Sequence, residues 1–217
     1  LGCADFLPDL KKMKNFAFAF VCISSWLVVY YWKVSFYKKE RRAMVFKRLQ
    51  DSQDGLYLQA MQLYQTSFPL HEQRKPDAQR AILQEPDYQF NLLMEEDHLL
   101  GELLCWETQE FIYVEHLCIL PQLRGQHCGS RALELLEQRG KPVILEIDPP
   151  IDDISLRRKG FYERAGYREN PFTHVHPPYR EGFAGHPLVV MSYPRQLERE
   201  EYDRFYQYLC SVVMKTL

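Results

Sequence analysis

The chain has 217 residues, 46% apolar and 26% charged, the composition of a soluble globular domain of ordinary size plus an extension. A formal charge of −2 leaves no basic excess, which excludes the electrostatic footprint of a nucleic-acid binder. The six cysteines include no C-x-x-C pair, which argues for free thiols in a reducing compartment and against a disulfide framework.

Residues 1–43 differ in character from the rest. Phe16 to Trp32 is an uncharged apolar run of roughly seventeen residues, the lower limit for a membrane-spanning helix. Lys11, Lys12 and Lys14 precede it. Lys33, Lys38, Lys39, Arg41 and Arg42 follow it, and Tyr30, Tyr31 and Trp32 suit a membrane interface. Read as an anchor, this charge bias places the following domain in the cytoplasm. A secretory signal opening at Met13 is a second reading, but no clean small-residue cleavage site follows. In a third, Met44 is the true start, because Lys38-Lys39-Glu40-Arg41-Arg42 can be encoded by a purine-rich run like a ribosome-binding site. Anchor and translated leader stand side by side as expectations.

From Met44 the pattern is that of a folded domain. Val45 to Leu49 reads as a strand. Asp51 to Asp54 offers cap residues to a helix over 55–66, which Phe68-Pro69 ends. Pro76 opens a second helix to Leu83. Strands follow over 88–94 and 99–106, joined by a turn at Glu95 to His98. Ile112 to Leu120 is a strand stopped by Pro121. Arg124 to Gly129 is a polar, glycine-bearing loop, and Ala132, Leu133 and Leu136 mark one face of a helix ended by Gly140. Pro142 to Ile147 is a short buried strand. Asp152 or Asp153 caps a helix over 154–165. Tyr167 to Val175 and Leu188 to Tyr193 form a last strand pair, and 198–216 a final helix. Helices between some strands and hairpins between others predict an α/β fold: a mixed, mostly antiparallel sheet with helices on both faces.

The strand, glycine loop and helix start at Ile112 to Gly140 is the physical recipe for an anion site, since the first amides of a helix lack internal partners. Leu120-Pro121 followed by Arg124-Gly125-Gln126-His127-Cys128-Gly129 resembles the acyl-CoA-binding motif of the GCN5-related N-acetyltransferases, the GNAT family. That motif reads Gln or Arg, two residues, Gly, one residue, then Gly or Ala. Arg124 and Gly129 match its ends, and His127 stands where it has its central Gly. Gly160-Phe161-Tyr162-Glu163-Arg164-Ala165-Gly166-Tyr167 resembles the family's second motif, a Phe-Tyr-Glu helix closing on Gly and an aromatic. With the element order, the resemblance covers most of 44–195, leaving 196–217 as a C-terminal helix.

The resemblance implies a cytoplasmic N-acetyltransferase that moves acetyl from acetyl-CoA to a primary amine by direct attack in a ternary complex, with no metal. The acceptor is a small molecule or a peptide. Residues Arg124, Gly125, Gln126, His127, Cys128, Gly129 and Ser130 would hold the pyrophosphate. The amide of Cys118 or Ile119 would face the thioester carbonyl, and Ser155 stands where many members have a cofactor-side Asn. Tyr162 matches the acid that reprotonates the leaving thiolate. Glu115 is the candidate base, with Glu146 a second. His116 is the runner-up to Glu115 for that role, on the opposite face by strict strand alternation. A thiolate at Cys128, near a helix start, is a lesser option. His176, Tyr179 and Arg180, in the segment 174–186, are expected to contact substrate. The three histidines of that segment invite a metal, but no cysteine or carboxylate nearby completes a zinc set. A non-catalytic CoA-binding sensor or scaffold and a membrane-tethered adaptor are the rival classes.

Overall fold

The computed structural model describes residues 43–215. The apolar segment 16–32 lies outside them, and with it the anchor, signal and leader readings. Among the described residues no helix is long and apolar enough to cross a membrane.

The strands are β1 (Met44–Leu49), β2 (Tyr88–Glu95), β3 (His98–Glu107), β4 (Ile112–Ile119), β5 (Val143–Ile147), β6 (Arg168–Glu169), β7 (His174–His176) and β8 (His186–Tyr193). They form one sheet in the order β1-β2-β3-β4-β5-β8-β6, with β7 also on β8. The helices are α1 (Tyr57–Ser67), α2 (Pro76–Ala81), α3 (Cys128–Glu137), α4 (Asp153–Arg164) and α5 (Arg199–Tyr208). All strand pairs are antiparallel except β4 with β5.

Two apolar cores lie against the two faces of the sheet. On the first, Tyr64 of α1 and Phe205 of α5 pack with Leu104, Trp106 and Tyr113. On the second, Ala132, Leu133 and Leu136 of α3 and Tyr162 of α4 pack with Val114, Leu145 and Ile147. β3 is buried from Leu99 to Trp106 because it is flanked by strands on both edges and covered on both faces. The expected mixed, mostly antiparallel sheet with helices on both faces is therefore what forms.

Two expectations shift. The strand drawn over 167–175 is broken into β6 and β7, since Pro171 has no amide to donate and restrains Asn170 before it. The final helix is α-helical only to Tyr208 and continues as a wider π-turn over Leu209–Val213.

Two irregularities in β4 position everything that follows. Its parallel pairing with β5 covers only Ile112–Val114 against Val143–Leu145, so the two strands part beyond that point. In addition, Leu104 pairs with His116 while the next residue, Cys105, pairs with Val114. Glu115 is thus an extra residue, a β-bulge, which kinks β4 and resets its side-chain alternation.

Glu102 on β3 is fully buried and accepts a hydrogen bond from the Cys118 thiol at 3.5 Å, while its Oε2 has no partner among the described residues. Burial raises its pKa from the ordinary 4.5 to about 8. Between those values the folded chain holds a proton that the unfolded chain has released, so stability falls as pH rises from 4.5 to about 8 and is level above it. Glu102→Gln should remove this slope: the gap in thermal midpoint between about pH 5 and about pH 8 shrinks relative to the parent chain. An unchanged gap would show that Glu102 is not the group responsible.

Candidate active site

After β4, a short 3₁₀ turn at Pro121–Leu123 leads into the polar loop. Gly125 (φ 77°) and His127 (φ 61°) both adopt left-handed backbone there, and His127 does so at the residue before α3. Such a conformation is natural for Gly and tolerated by His. No side chain caps α3, and its first internal bond runs from the Arg131 amide to the His127 carbonyl. The amides of Cys128, Gly129 and Ser130 are thus left pointing out of the helix end. The start of α4 contrasts with this: Asp152 accepts bonds from the amides of Ile154 and Ser155 at 2.8 Å. Gly129 has a packing reason of its own, since a Cβ there would lie 3.1 Å from the Phe161 ring.

The edge of β4 beside this loop is open. The Leu120 amide donates to the Leu100 carbonyl at 2.9 Å, toward β3. Alternation along an antiparallel strand then turns the Cys118 amide toward β3 and those of Ile119 and Leu117 toward the open edge. Of the two amides expected to face the thioester, Ile119 is the available one.

The bulge places Glu115 and His116 on the same face, correcting the opposite-face expectation for His116. Both contact Tyr179: its hydroxyl donates to Glu115 Oε1 at 2.8 Å, and its ring lies 5.9 Å from the imidazole of His116. The Glu115 side chain has no exposed surface. It is ion-paired with Arg74, equally enclosed, and also accepts from Trp106 Nε1 at 3.0 Å. Burial pushes the carboxyl up, but Arg74, His116, Trp106 and Tyr179 together outweigh it and hold the pKa below the ordinary value. An anion so fully satisfied is a poor proton acceptor. Arg74 in turn donates to the Val213 carbonyl at 2.9 Å and lies over the rings of Trp106 and Tyr179.

Beside this pair is a cavity of about 290 Å³ lined by Glu115, His116, Glu146, His176 and Tyr179. Glu146 of β5 accepts from the Tyr113 hydroxyl and from His174 Nε2. Its burial is outweighed by His176, His174 and Tyr113, so it too stays anionic. His176 is stacked on Tyr179 and donates from Nδ1 to the Pro177 carbonyl at 2.6 Å. That bond places a proton on Nδ1 and leaves Nε2 as the ring position turned to the cavity. The Nε2 is buried without a hydrogen-bond partner among the described residues, and a Glu146 oxygen lies 3.8 Å away. His116 is the mirror case: Nε2 donates to the Glu72 carbonyl at 2.9 Å, Nδ1 is unpartnered, and burial lowers its pKa to about 4.

An open helix start on one face, a histidine-carboxylate cavity on the other and parted strands between them form a two-sided site. Residues 57–167 match a family model described as the acetyltransferase (GNAT) family. The chain belongs to the GNAT family. A structure from Bacteroides thetaiotaomicron, proposed to be a GNAT-family acetyltransferase, superposes with a TM-score of 0.73 at 29% identity, over 78% of this chain and 98% of its own. YjbC of Bacillus subtilis, whose name proposes an acetyltransferase, is 27% identical over 103 residues, 46% of this chain. The match spans about half the length of that relative, 52%. An aminoglycoside 6′-N-acetyltransferase complexed with coenzyme A shares the fold, with a TM-score of 0.50 at 17% identity over 69% of this chain and 96% of its own.

Within this GNAT fold the remaining expected residues fall into place unevenly. Tyr162 is buried against Phe161 and Tyr167, on the α3–α4 side of the sheet, in the same core as Cys128 and Ile147. Burial raises its phenol to about 12, against a small opposing effect of Arg158 one turn earlier. Cys128 is buried in that core, and its thiol donates to the Gln126 carbonyl of the loop at 3.9 Å, which leaves its amide as the group at the open helix end. Ser155 is spent on the α4 cap: its hydroxyl accepts from the Ile151 and Asp152 amides at 3.1 Å, which removes it from the cofactor set. Arg180 also leaves the site. It clamps the carbonyls of Gln73 and Arg74 and lines a separate cleft with Tyr64 and Phe68. Of the three histidines of 174–186, His174 and His176 both approach the Glu146 carboxylate, His174 also meeting Tyr202, while His186 lines the same cavity beside Asp148.

Sequence reasoning missed Arg74, which lies in a polar linker before α2 with no periodic signal. Arg74→Ala should destabilise the chain by about 3–5 kcal/mol, because it strands a buried carboxylate. Chemical denaturation would read this, and Glu115→Gln added to it should recover part of the loss. The left-handed backbone of His127 gives a second expectation. His127→Gly should preserve or tighten acetyl-CoA affinity by calorimetry, whereas a large loss would mean that the imidazole itself is a ligand.

Proposed function

We propose that this GNAT protein transfers an acetyl group from acetyl-CoA to a primary amine by direct attack within a ternary complex. The observation that carries the reading is the parting of β4 from β5 after Val114 and Leu145, which leaves the β4 edge unpaired between the two halves of the site. The loop fits the donor: uncapped amides at Cys128, Gly129 and Ser130, two left-handed turns and the exposed Arg124 suit a pyrophosphate. When bound, acetyl-CoA supplies the acetyl group already activated as a thioester.

The chain's own residues supply binding and proton handling. The Ile119 amide at the open edge is the donor for the developing oxyanion. His176 Nε2 takes a proton from the attacking amine, and the nearby Glu146 carboxylate stabilises the resulting imidazolium. Glu115, locked by Arg74, orients Tyr179, on which His176 is stacked. Tyr162 keeps its proton across the working pH range and gives it to the leaving thiolate. On this reading the catalytic domain is 44–195, followed by a C-terminal segment that carries α5, and the use of coenzyme A argues for a cytoplasmic location. The acceptor, small molecule or peptide, is any amine that can reach the cavity neutral or be neutralised there.

Calorimetry with acetyl-CoA, followed by thiol release over a panel of peptide N-termini, polyamines, aminoglycosides and small metabolic amines, tests the proposal. Binding with thiol release on at least one amine is expected. Binding with no release across the panel would favour the non-catalytic sensor or scaffold, and no binding would overturn the loop assignment. Tyr162→Phe and His176→Gln should each lower turnover by about a hundredfold with acetyl-CoA affinity unchanged. Unaltered turnover in either variant would remove that residue from its role.

A further inference from the structure

At the mouth of the cavity, outside the residues given roles above, three side chains from distant parts of the sequence meet. His71 and Glu72 come from the 3₁₀ turn Leu70–Glu72, which follows α1, and His186 is the first residue of β8. One ligand atom from each lies within 4.8 Å of the other two. The rings of His71 and His186 face one another at 5.6 Å, and His71 Nε2 is 3.6 Å from Glu72 Oε1. A further carboxylate stands close by: Asp148 Oδ1 is 3.5 Å from His186 Nε2 and near enough to Glu72 to repel it.

The backbone beneath this cluster is held from within. The Glu72 carbonyl accepts from the buried His116, and His186 is register-paired with His176. The side-chain ends remain reachable from solvent, at 43% exposure for His71 and 33% for Glu72 and His186. Zinc bonds of about 2 Å ask for roughly 3.4 Å between tetrahedral ligand atoms, so these ends need close by at most about 1.4 Å. Two imidazoles and one carboxylate suit a divalent first-row transition ion, whereas magnesium and calcium prefer oxygen alone. Arg158 takes up the Asp148 charge by its own ion pair, so the carboxylate left over for a cation is that of Glu72.

We propose that His71, Glu72 and His186 form a binding site for a divalent transition-metal ion of the zinc class, which ties the turn after α1 to the start of β8 at the cavity mouth. The fourth position is open to water, and Asp148 stands as an outer carboxylate against His186. The proposal is independent of the acyl-transfer reading, since its readouts are binding and stability.

The test uses the full chain, freed of metal by dialysis against chelator and kept reduced. Calorimetric titration with Zn²⁺ should give one site per chain, and saturating Zn²⁺ should raise the thermal midpoint. His71→Ala and His186→Ala should each weaken that site by about a hundredfold or more and abolish the midpoint shift. Both side chains are partly exposed, so both variants should fold, as circular dichroism would verify. Co²⁺ in place of Zn²⁺ gives an independent check, since its visible spectrum reports nitrogen and oxygen ligands apart from thiolate. No binding, a thiolate spectrum, or binding indifferent to both substitutions would overturn the proposal.

Discussion

The candidate site depends on a single extra residue in one strand. Without the bulge at Glu115, β4 would alternate strictly and send Glu115 and His116 to opposite faces. With it, both face α1 and the 177–186 loop, and Tyr179 contacts both. The same short stretch is where β4 leaves β5. One local fault in the sheet thus aims two titratable side chains into the cavity and exposes the strand edge beside the helix start.

The burial of charge around that fault is organised, with each carboxylate answered. Glu115 has Arg74, Trp106 and Tyr179, and Glu146 has Tyr113, His174 and the approach of His176. A buried ion pair adds little net stability, because desolvation offsets most of the attraction. It does fix geometry, since every departure leaves a charge without a partner. What stays unanswered is then informative. Among the buried atoms without a hydrogen-bond partner, His176 Nε2 and His116 Nδ1 belong to residues that line the cavity, whereas Glu102 does not line it.

The face assignments show the limits of local reading. The hydrophobic stripe of α3 and the apolar run Val143 to Leu145 of β5 were legible because such patterns report burial directly. The loop motif was legible too, since Arg124 and Gly129 sit at fixed spacing on one contiguous stretch. Arg74 was not, because a buried arginine leaves no pattern in sequence until its carboxylate partner, 41 residues away, is known. Ser155 misled in the other direction: its spacing fits a cofactor contact, but Asp152 three residues earlier draws the same hydroxyl into a helix cap.

The sequence by itself determined the class of the fold, the order of its elements and the loop that opens α3, because each is written in neighbouring residues through spacing, capping and turn chemistry. Only the tertiary structure decided which partners each buried carboxylate takes, and which histidines meet. His174 and His176 meet on the Glu146 carboxylate of another strand, while His71 and His186 meet across more than half of the described chain. The physical reason is that a proton affinity or a ligand set is a property of what surrounds a side chain. In this sheet those surroundings come from strands and turns that the chain reaches only by folding.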